Sequence, residues 1–181
     1  MLLVEVFLML LHMVAALFGG MLLLRAYMQW LRVGYHNPIA QFVVALTDWA
    51  ARPLRALVPR SPRWDWASLL AAFLIALAYS SIVDALGGGH GVLGWPWLAP
   101  LSIALLVRWA LYIVLTLVFV YALISVVNPE APLAPTLDLL TRPLLAPFRR
   151  VMPAVAGFDL SPLAVIVVVQ VLLYVLDRAG A

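Results

Sequence analysis

Four long stretches of apolar residues constrain this chain more than any other feature. They cover approximately residues 2–24, 66–86, 109–127 and 161–177. Each is close to the roughly 20 apolar residues that an α-helix needs to cross a bilayer. Of the 181 residues, 66% are hydrophobic and only 10% are charged, which leaves too few polar side chains to cover a soluble globule. The sequence therefore predicts an all-α membrane protein with four transmembrane helices.

Two of these spans need further argument, because a charged residue lies within each apolar run. The third apolar run could begin near Leu98, but Arg108 interrupts it. Because an arginine at the end of a span extends toward the interface, we place the span at 109–127. The first stretch carries Glu5 and lacks the basic segment of a signal peptide. We therefore expect it to remain as a span.

The arginines between the spans predict the orientation. Six lie within residues 25–65 and three within 125–160, whereas residues 84–100 contain none. Cytoplasmic loops are enriched in arginine and lysine. We therefore expect both arginine-bearing loops in the cytoplasm and both termini on the opposite side of the membrane. The net charge of +3 then reflects topology, and we expect no nucleic-acid partner.

The chain repeats itself with an offset of 94 residues. Five positions of one loop recur in the other without a gap, as Thr47/Thr141, Pro53/Pro147, Arg55/Arg149, Pro59/Pro153 and Asp65/Asp159. The pattern predicts two parallel two-helix repeats, residues 1–90 and 91–181. It also places both loops on one side of the membrane, in agreement with the arginine distribution.

Each loop is expected to contain an amphipathic interfacial helix. In the first loop, Asn37 can cap a helix that Pro38 starts, and apolar residues follow at helical spacing opposite Gln41, Asp48, Arg52 and Arg55. Such a helix lies in the headgroup plane with its arginines toward anionic lipid. In the second loop, four prolines are expected to break the helix into short turns. They are Pro132, Pro135, Pro143 and Pro147.

An aspartate precedes the next span in each repeat. We expect Ser161 to cap the last span and Pro162 to start it, with Asp65 and Asp159 near the positive ends of their helix dipoles. Arg55 and Arg149 each lie ten residues before these acids, close enough to pair with them after a proline-directed reversal of the chain. The sequence leaves open whether Arg55 pairs with Asp65 or with Asp159.

The repeat-motif residues form the first candidate site. They either fix loop shape and helix depth through Arg–Asp pairs and lipid phosphates, or line a cytoplasmic vestibule that binds an ion or an acidic segment of a partner. The set is Thr47, Pro53, Arg55, Pro59, Asp65, Thr141, Pro147, Arg149, Arg150, Pro153, Asp159, Ser161 and Pro162.

Polar residues within the spans form the second candidate site. Such residues are functional hypotheses by default, and a cluster of Glu5, His12, Arg108 and Asp177 could relay protons or ions. Gln170 shares a helix face with Asp177. The alternative is that Glu5 and Asp177 lie near span ends, where extension to the interface costs little.

Motifs of enzymes are missing from the sequence. There is no cysteine, which excludes thiolate metal sites and cysteine nucleophiles. We find no zinc signature, nucleophile elbow, phosphate loop or dinucleotide fingerprint. We therefore expect no enzyme activity, no catalytic residue, no cofactor and no metal.

Two blocks of residues resemble the YggT family, called YlmG in Gram-positive bacteria and plastids. In the first half the resemblance lies in residues 25–30, 37–49, 52–55 and 65–69. In the second half it lies in residues 140–153 and 157–162. Ala56 stands where the family has the second arginine of an Arg-Arg pair.

The resemblance implies a non-enzymatic integral protein of the bacterial inner membrane, linked in proteobacteria to osmotic-stress tolerance and ion homeostasis. In other lineages it implies an assembly factor or scaffold for cell division, nucleoid organisation or cytochrome complexes. The partners expected are the lipid bilayer and either a second copy of the chain or another membrane protein.

Overall fold

The computed structural model describes residues 2–34, 37–59, 61–86, 95–151 and 159–179, which form helices and connecting turns and contain no strand. The helices are α1 (Leu2–Trp30), α2 (Pro38–Leu54), α3 (Trp66–Leu86), α4 (Trp95–Val127), α5 (Ala134–Val151) and α6 (Ser161–Ala179). The predicted all-α class is confirmed.

Four of the helices are long and apolar enough to cross a membrane. They are α1, α3, residues Trp97–Val127 of α4 and residues Ser161–Arg178 of α6. Their large apolar side chains are widely exposed, for example Leu3, Phe119 and Val171. Exposure on this scale would cause a protein in water to aggregate, whereas lipid solvates it. The prediction of a four-span membrane protein is confirmed.

Two of the helices extend beyond the predicted spans. Helix α1 continues past residue 24 through Arg25 to Trp30, and α4 begins at Trp95 and runs without interruption through Arg108. Arginine is a good helix former. A single charge therefore changes the cost of burying a segment in lipid without ending the helix that carries it.

The predicted break of the second loop into short turns is also wrong, because α5 is one helix. Pro132 precedes it and Pro135 lies in its first turn, where a missing N–H costs no hydrogen bond. Pro143 and Pro147 are four residues apart and therefore lie on one face. That face is partly or fully exposed, so the carbonyls that lose their partners can accept other hydrogen bonds.

The chain divides into two compact units. The first unit comprises Met1–Arg32 and Phe42–Ala110, and the second comprises Val33–Gln41 and Leu111–Ala181. Helix α4 thus contributes its beginning to the first unit and its remainder to the second. The division at residues 90 and 91 that the repeat suggests stays a prediction.

Small residues bring the helices of the first unit together. Ala71 and Ala72 of α3 pack with Leu22 of α1 and Ala51 of α2. Trp109 of α4 fills a second cluster. A Cβ atom on Gly19 of α1 would overlap Cζ3 and Cε3 of the Trp109 ring. Close approach at small residues is typical of membrane helices. Here the absence of a side chain at Gly19 leaves space for the indole ring of Trp109.

Branched apolar residues form the core of the second unit. Val118 of α4, Leu145 of α5 and Val165 and Val169 of α6 are buried together. Phe148 of α5 packs against the same cluster. Helix α5 is therefore held to the two spans of its own unit through an apolar face.

Candidate functional site

A buried arginine lies at the centre of the polar contacts of the first unit. Arg25, near the end of α1, is only 3% exposed. Its Nη1 donates to Oγ1 of Thr47 at 3.0 Å and its Nη2 to Oδ1 of Asp48 at 3.1 Å. Its Nε lies 3.3 Å from Oδ2 of Asp65. Arg25, Thr47, Asp48 and Asp65 are called the Arg25 network, and it joins α1, α2 and the start of α3.

The partners of Arg25 are themselves positioned by their helices. Asp65 caps α3, since its Oδ1 accepts from the N–H of Ser68 at 3.1 Å and its Oδ2 accepts from the Ser68 hydroxyl at 2.7 Å. The Thr47 hydroxyl donates to the carbonyl of Val43 at 2.6 Å, which leaves its lone pairs for Arg25. Such supporting contacts restrict the geometry in which the arginine can bind.

Asp48 is shared between a buried and an exposed cation. Its Oδ2 accepts from Nη2 of Arg52 at 2.6 Å, and the Arg52 side chain is largely exposed. Burial raises the pKa of Asp48, but the hydrogen bond from Arg25 and the charge of Arg52 outweigh it and lower that pKa. The positive charges of Arg25 and Arg52 therefore balance the negative charges of Asp48 and Asp65.

The second unit contains a smaller arrangement around Arg149. Its Nε donates to Oδ2 of Asp159 at 2.8 Å and its Nη2 to the hydroxyl of Tyr121 at 2.9 Å. Oδ1 of Asp159 accepts from the N–H of Ser161 at 2.9 Å. Burial raises the pKa of Asp159, but the hydrogen bonds from Ser161 and Arg149 outweigh it and lower that pKa. Arg149, Tyr121 and Asp159 are called the Arg149 network.

The predicted Arg–Asp pairs have different outcomes. The pair Arg149–Asp159 is confirmed. The pair Arg55–Asp65 is wrong, because Arg55 lies exposed in the turn after α2 while Arg25 occupies the carboxylate of Asp65. Sequence reasoning treated Arg25 as a loop residue. The sequence contained a signal for this contact. Arg25 continues an apolar helical run, and Asp65 stands at the start of a later span.

The predicted caps also have different outcomes. Oδ1 of Asn37 accepts from the N–H of Ile39 at 2.9 Å, so the cap of α2 is confirmed. The cap of α6 was assigned to the wrong residue. Ser161 is the first residue of that helix, and the carboxylate of Asp159 accepts from its N–H.

The two repeat-motif threonines occupy equivalent local positions. Thr141 is fully buried and its hydroxyl donates to the carbonyl of Leu137 at 2.7 Å, as Thr47 does to Val43. Ser161 and Pro162 are buried at the start of α6. The remaining described motif residues, Pro53, Pro59, Pro147 and Arg150, are exposed, while Pro153 lies outside the described residues. A binding role for the motif stays a prediction.

Two polar residues of the spans contact each other within the first unit. The ring centroids of His12 in α1 and Tyr79 in α3 are 5.3 Å apart. Sequence reasoning missed Tyr79, since an isolated tyrosine in an apolar helix has no distinguishing pattern. Glu5 is exposed on α1.

Gln170 and Asp177 are exposed on α6 and belong to the second unit. The predicted cluster of Glu5, His12, Arg108 and Asp177 therefore stays a prediction. Among the residues that the structure describes, no group of three or more histidines or acids could hold a metal ion.

The chain is similar to proteins of one family along most of its length. The model of the family described as CCB3/YggT matches residues 4–86 and 100–179. The protein called "Uncharacterized protein YggT" of Escherichia coli is 34% identical over 178 residues, covering 95% of this chain and 87% of that protein. An uncharacterized protein of Haemophilus influenzae is 31% identical, covering 88% of this chain and 85% of its own length. No solved structure matches.

The chain belongs to the CCB3/YggT family of proteins. Its four apolar helices make it a membrane protein.

Proposed function

We propose that the chain is a non-enzymatic protein of the bacterial inner membrane that acts in osmotic-stress tolerance or ion homeostasis. In this role it forms a pathway for ions or small solutes, or modulates one. The observation that supports this function is the contact between His12 of α1 and Tyr79 of α3 on two apolar helices. Polar groups inside a span are costly and are typically retained for transport or proton transfer.

The pathway requires more than one chain. Four spans leave little room for a pore within one copy, so we expect a homo-oligomer in which polar residues such as Glu5, His12 and Arg108 contribute to a hydrated route. The arginine-bearing loops are proposed to lie in the cytoplasm, with both termini in the periplasm.

Ion flux into liposomes tests the proposal. Reconstituted wild-type protein is expected to conduct above empty vesicles, and His12→Ala and Arg108→Ala are each expected to abolish the excess. Thr116→Val is the matched control, because the Thr116 hydroxyl is exposed on α4 and donates to its own helix at the Tyr112 carbonyl. Flux equal to that of empty vesicles, or variants that conduct like the wild type, would count against the proposal.

The alternative function is a scaffold or assembly factor that recruits a membrane partner through its loop helices. The observation that favours it is the way the Arg25 network holds α2 against α1 and α3, while Phe42, Trp49 and Arg52 stay exposed. A helix fixed in this way presents the same surface to anionic lipid headgroups and to a partner.

Crosslinking in cells tests the scaffold. A photoreactive residue in place of Arg52 or Arg150 is expected to capture one reproducible protein, while the same residue at Glu5 does not. A mild-detergent pull-down followed by mass determination then separates the two functions. A homo-oligomer alone favours the pathway, and a defined partner that is lost with Arg149→Ala favours the scaffold.

A further inference from the structure

A cavity of about 300 Å³ lies within the second unit, where α4 ends and α5 begins. Its walls include Tyr121, Ile124 and Ser125 of α4, Pro129 of the turn, and Pro135 and Asp138 of α5. The volume is at the lower end of the range for small-molecule sites. Neither the pathway nor the scaffold uses this cavity, which is called the α4–α5 pocket.

One carboxylate oxygen of the pocket is available to a ligand. Oδ2 of Asp138 accepts from Nη2 of Arg142 at 2.7 Å, and within the described residues no hydrogen bond reaches its Oδ1. Ser125 lines the same cavity, whereas the Tyr121 ring already faces the Arg149 guanidinium, whose Cζ lies 6.0 Å from the ring centroid. A carboxylate oxygen and a hydroxyl are groups that an ammonium can donate to.

The side chains of Arg142 and Asp138 form an ion pair beside the pocket. The Arg142 side chain is 67% exposed, so its remaining N–H groups can donate to an incoming phosphate. Asp138 repels a headgroup that carries only negative charge. The pair therefore complements a zwitterion in which a phosphate and an ammonium are separated by a short linker.

The depth of the pocket indicates where this zwitterion comes from. Val126 and Val127 at the end of α4 are 70% and 74% exposed, and Asn128, Pro129 and Glu130 follow directly. This change from exposed apolar to polar residues marks the boundary of the hydrocarbon region. Pro129 and Asp138, which line the pocket, then lie at the level of the lipid headgroups, and Ser125 lies just inside the boundary.

We propose that the α4–α5 pocket binds the headgroup of an ammonium-bearing zwitterionic phospholipid. The ammonium contacts Oδ1 of Asp138 and the Ser125 hydroxyl, and the phosphate accepts hydrogen bonds from Arg142. The site is independent of the proposed function, because a structural lipid can occupy it whether the protein conducts ions or recruits a partner.

Native mass spectrometry of the full chain tests this site. The protein is purified in mild detergent and offered equal amounts of phosphatidylethanolamine and phosphatidylglycerol. Wild type is expected to retain phosphatidylethanolamine preferentially, and Asp138→Asn to reduce the preference by about tenfold, since a hydrogen bond to a charged group is worth that much. Glu130→Gln is the matched control, because it neutralises a nearby exposed carboxylate that does not line the pocket.

A second variant separates loss of the site from loss of the fold. Ala134→Leu fills the pocket from the first residue of α5 and changes no charge. It is expected to reduce phosphatidylethanolamine retention while the thermal melting temperature stays near that of the wild type. Equal retention of the two lipids by the wild type, or an unchanged preference in both pocket variants, would overturn the proposal. Displacement of the lipid by equimolar soluble phosphoethanolamine would overturn its assignment to a membrane lipid.

Discussion

Arg25 carries a charge inside a helix that is otherwise almost entirely apolar, and it makes contact with two aspartates and a threonine. Removing such a charge from water costs several kcal/mol. The ion pairs and the hydrogen bond offset that cost only when all partners are present. The network therefore contributes more to how α1, α2 and α3 fit together than to the net stability of the unit.

Replacing Arg25 alone is expected to be strongly destabilising. Arg25→Met keeps most of the volume but leaves Asp65, which is also buried, without its cation. We expect the free energy of unfolding in mixed micelles to fall by about 3–5 kcal/mol. Arg55→Gln, at an exposed arginine, is expected to change it by less than about 0.5 kcal/mol. Equal stability of the two variants would show that the buried charge is not held by its partners.

The double variant Arg25→Met/Asp65→Asn is expected to recover part of the loss. It removes the unpaired negative charge, while the asparagine can still cap α3. A loss as large as the sum of the two single changes would contradict the coupling between these residues.

Acid is expected to destabilise the protein through Asp48 and Asp159. Both have a pKa lowered in the folded state, so the stability they contribute is present above their unfolded pKa of about 4. It is lost as the pH falls through the lower folded pKa. Thermal melting between about pH 6 and pH 2 should show this decline, and it should be shallower in Asp48→Asn. Stability that rises toward acid would contradict the assignment.

At the scale of elements, the two loop helices are held by different means. Helix α2 begins at the Asn37 cap, and the same asparagine donates to the Thr136 hydroxyl at the start of α5 within the second unit. The rest of α2 packs through Val43, Thr47 and Ala51, with Arg25 as its polar anchor. Helix α5 packs through an apolar face that includes Leu145 and Phe148, with the Thr136 contact at its start and the Arg149 network at its end. Its arginines Arg142, Arg149 and Arg150 are not buried, so α5 is attached mainly through apolar contacts.

The packing of α1 against α4 depends on the absence of a side chain at one position. Trp109 is 2% exposed, so its ring has little room to move away from a Cβ on Gly19. Gly19→Ala is therefore expected to lower the free energy of unfolding by about 1–3 kcal/mol through overpacking. Gly34→Ala is the control, because nothing lies near its Cβ position, and it should be nearly neutral. An unchanged melting temperature for Gly19→Ala would show that the indole can move.

At the scale of the whole molecule, the orientation in the membrane is the property most open to test. Fluorescent-protein fusions after residues 60 and 152 are expected to report the cytoplasm. Alkaline phosphatase fused to the C-terminus is expected to be active in the periplasm. Reporters that place the two loops on opposite sides would refute both the parallel repeats and the positive-inside assignment.

Local signals were sufficient for a large part of this structure. The apolar stretches predicted the four spans, Asn37-Pro38 predicted the start of α2, and ten-residue spacing predicted the Arg149–Asp159 pair. Each of these features depends on residues near one another in sequence. The same reasoning was wrong for Arg55, because its apparent partner Asp65 had a competitor 40 residues earlier in the chain.

Composition alone predicts that this protein lies in lipid, since it has too few polar side chains to cover its apolar ones in water, and residues spaced along both loops identify its family. The packing of the helices was needed to show which arginine is buried, how far α4 extends, and that His12 contacts Tyr79. The physical reason is that hydropathy and helix capping act over a few residues, whereas the partner of a buried charge depends on which helices pack together.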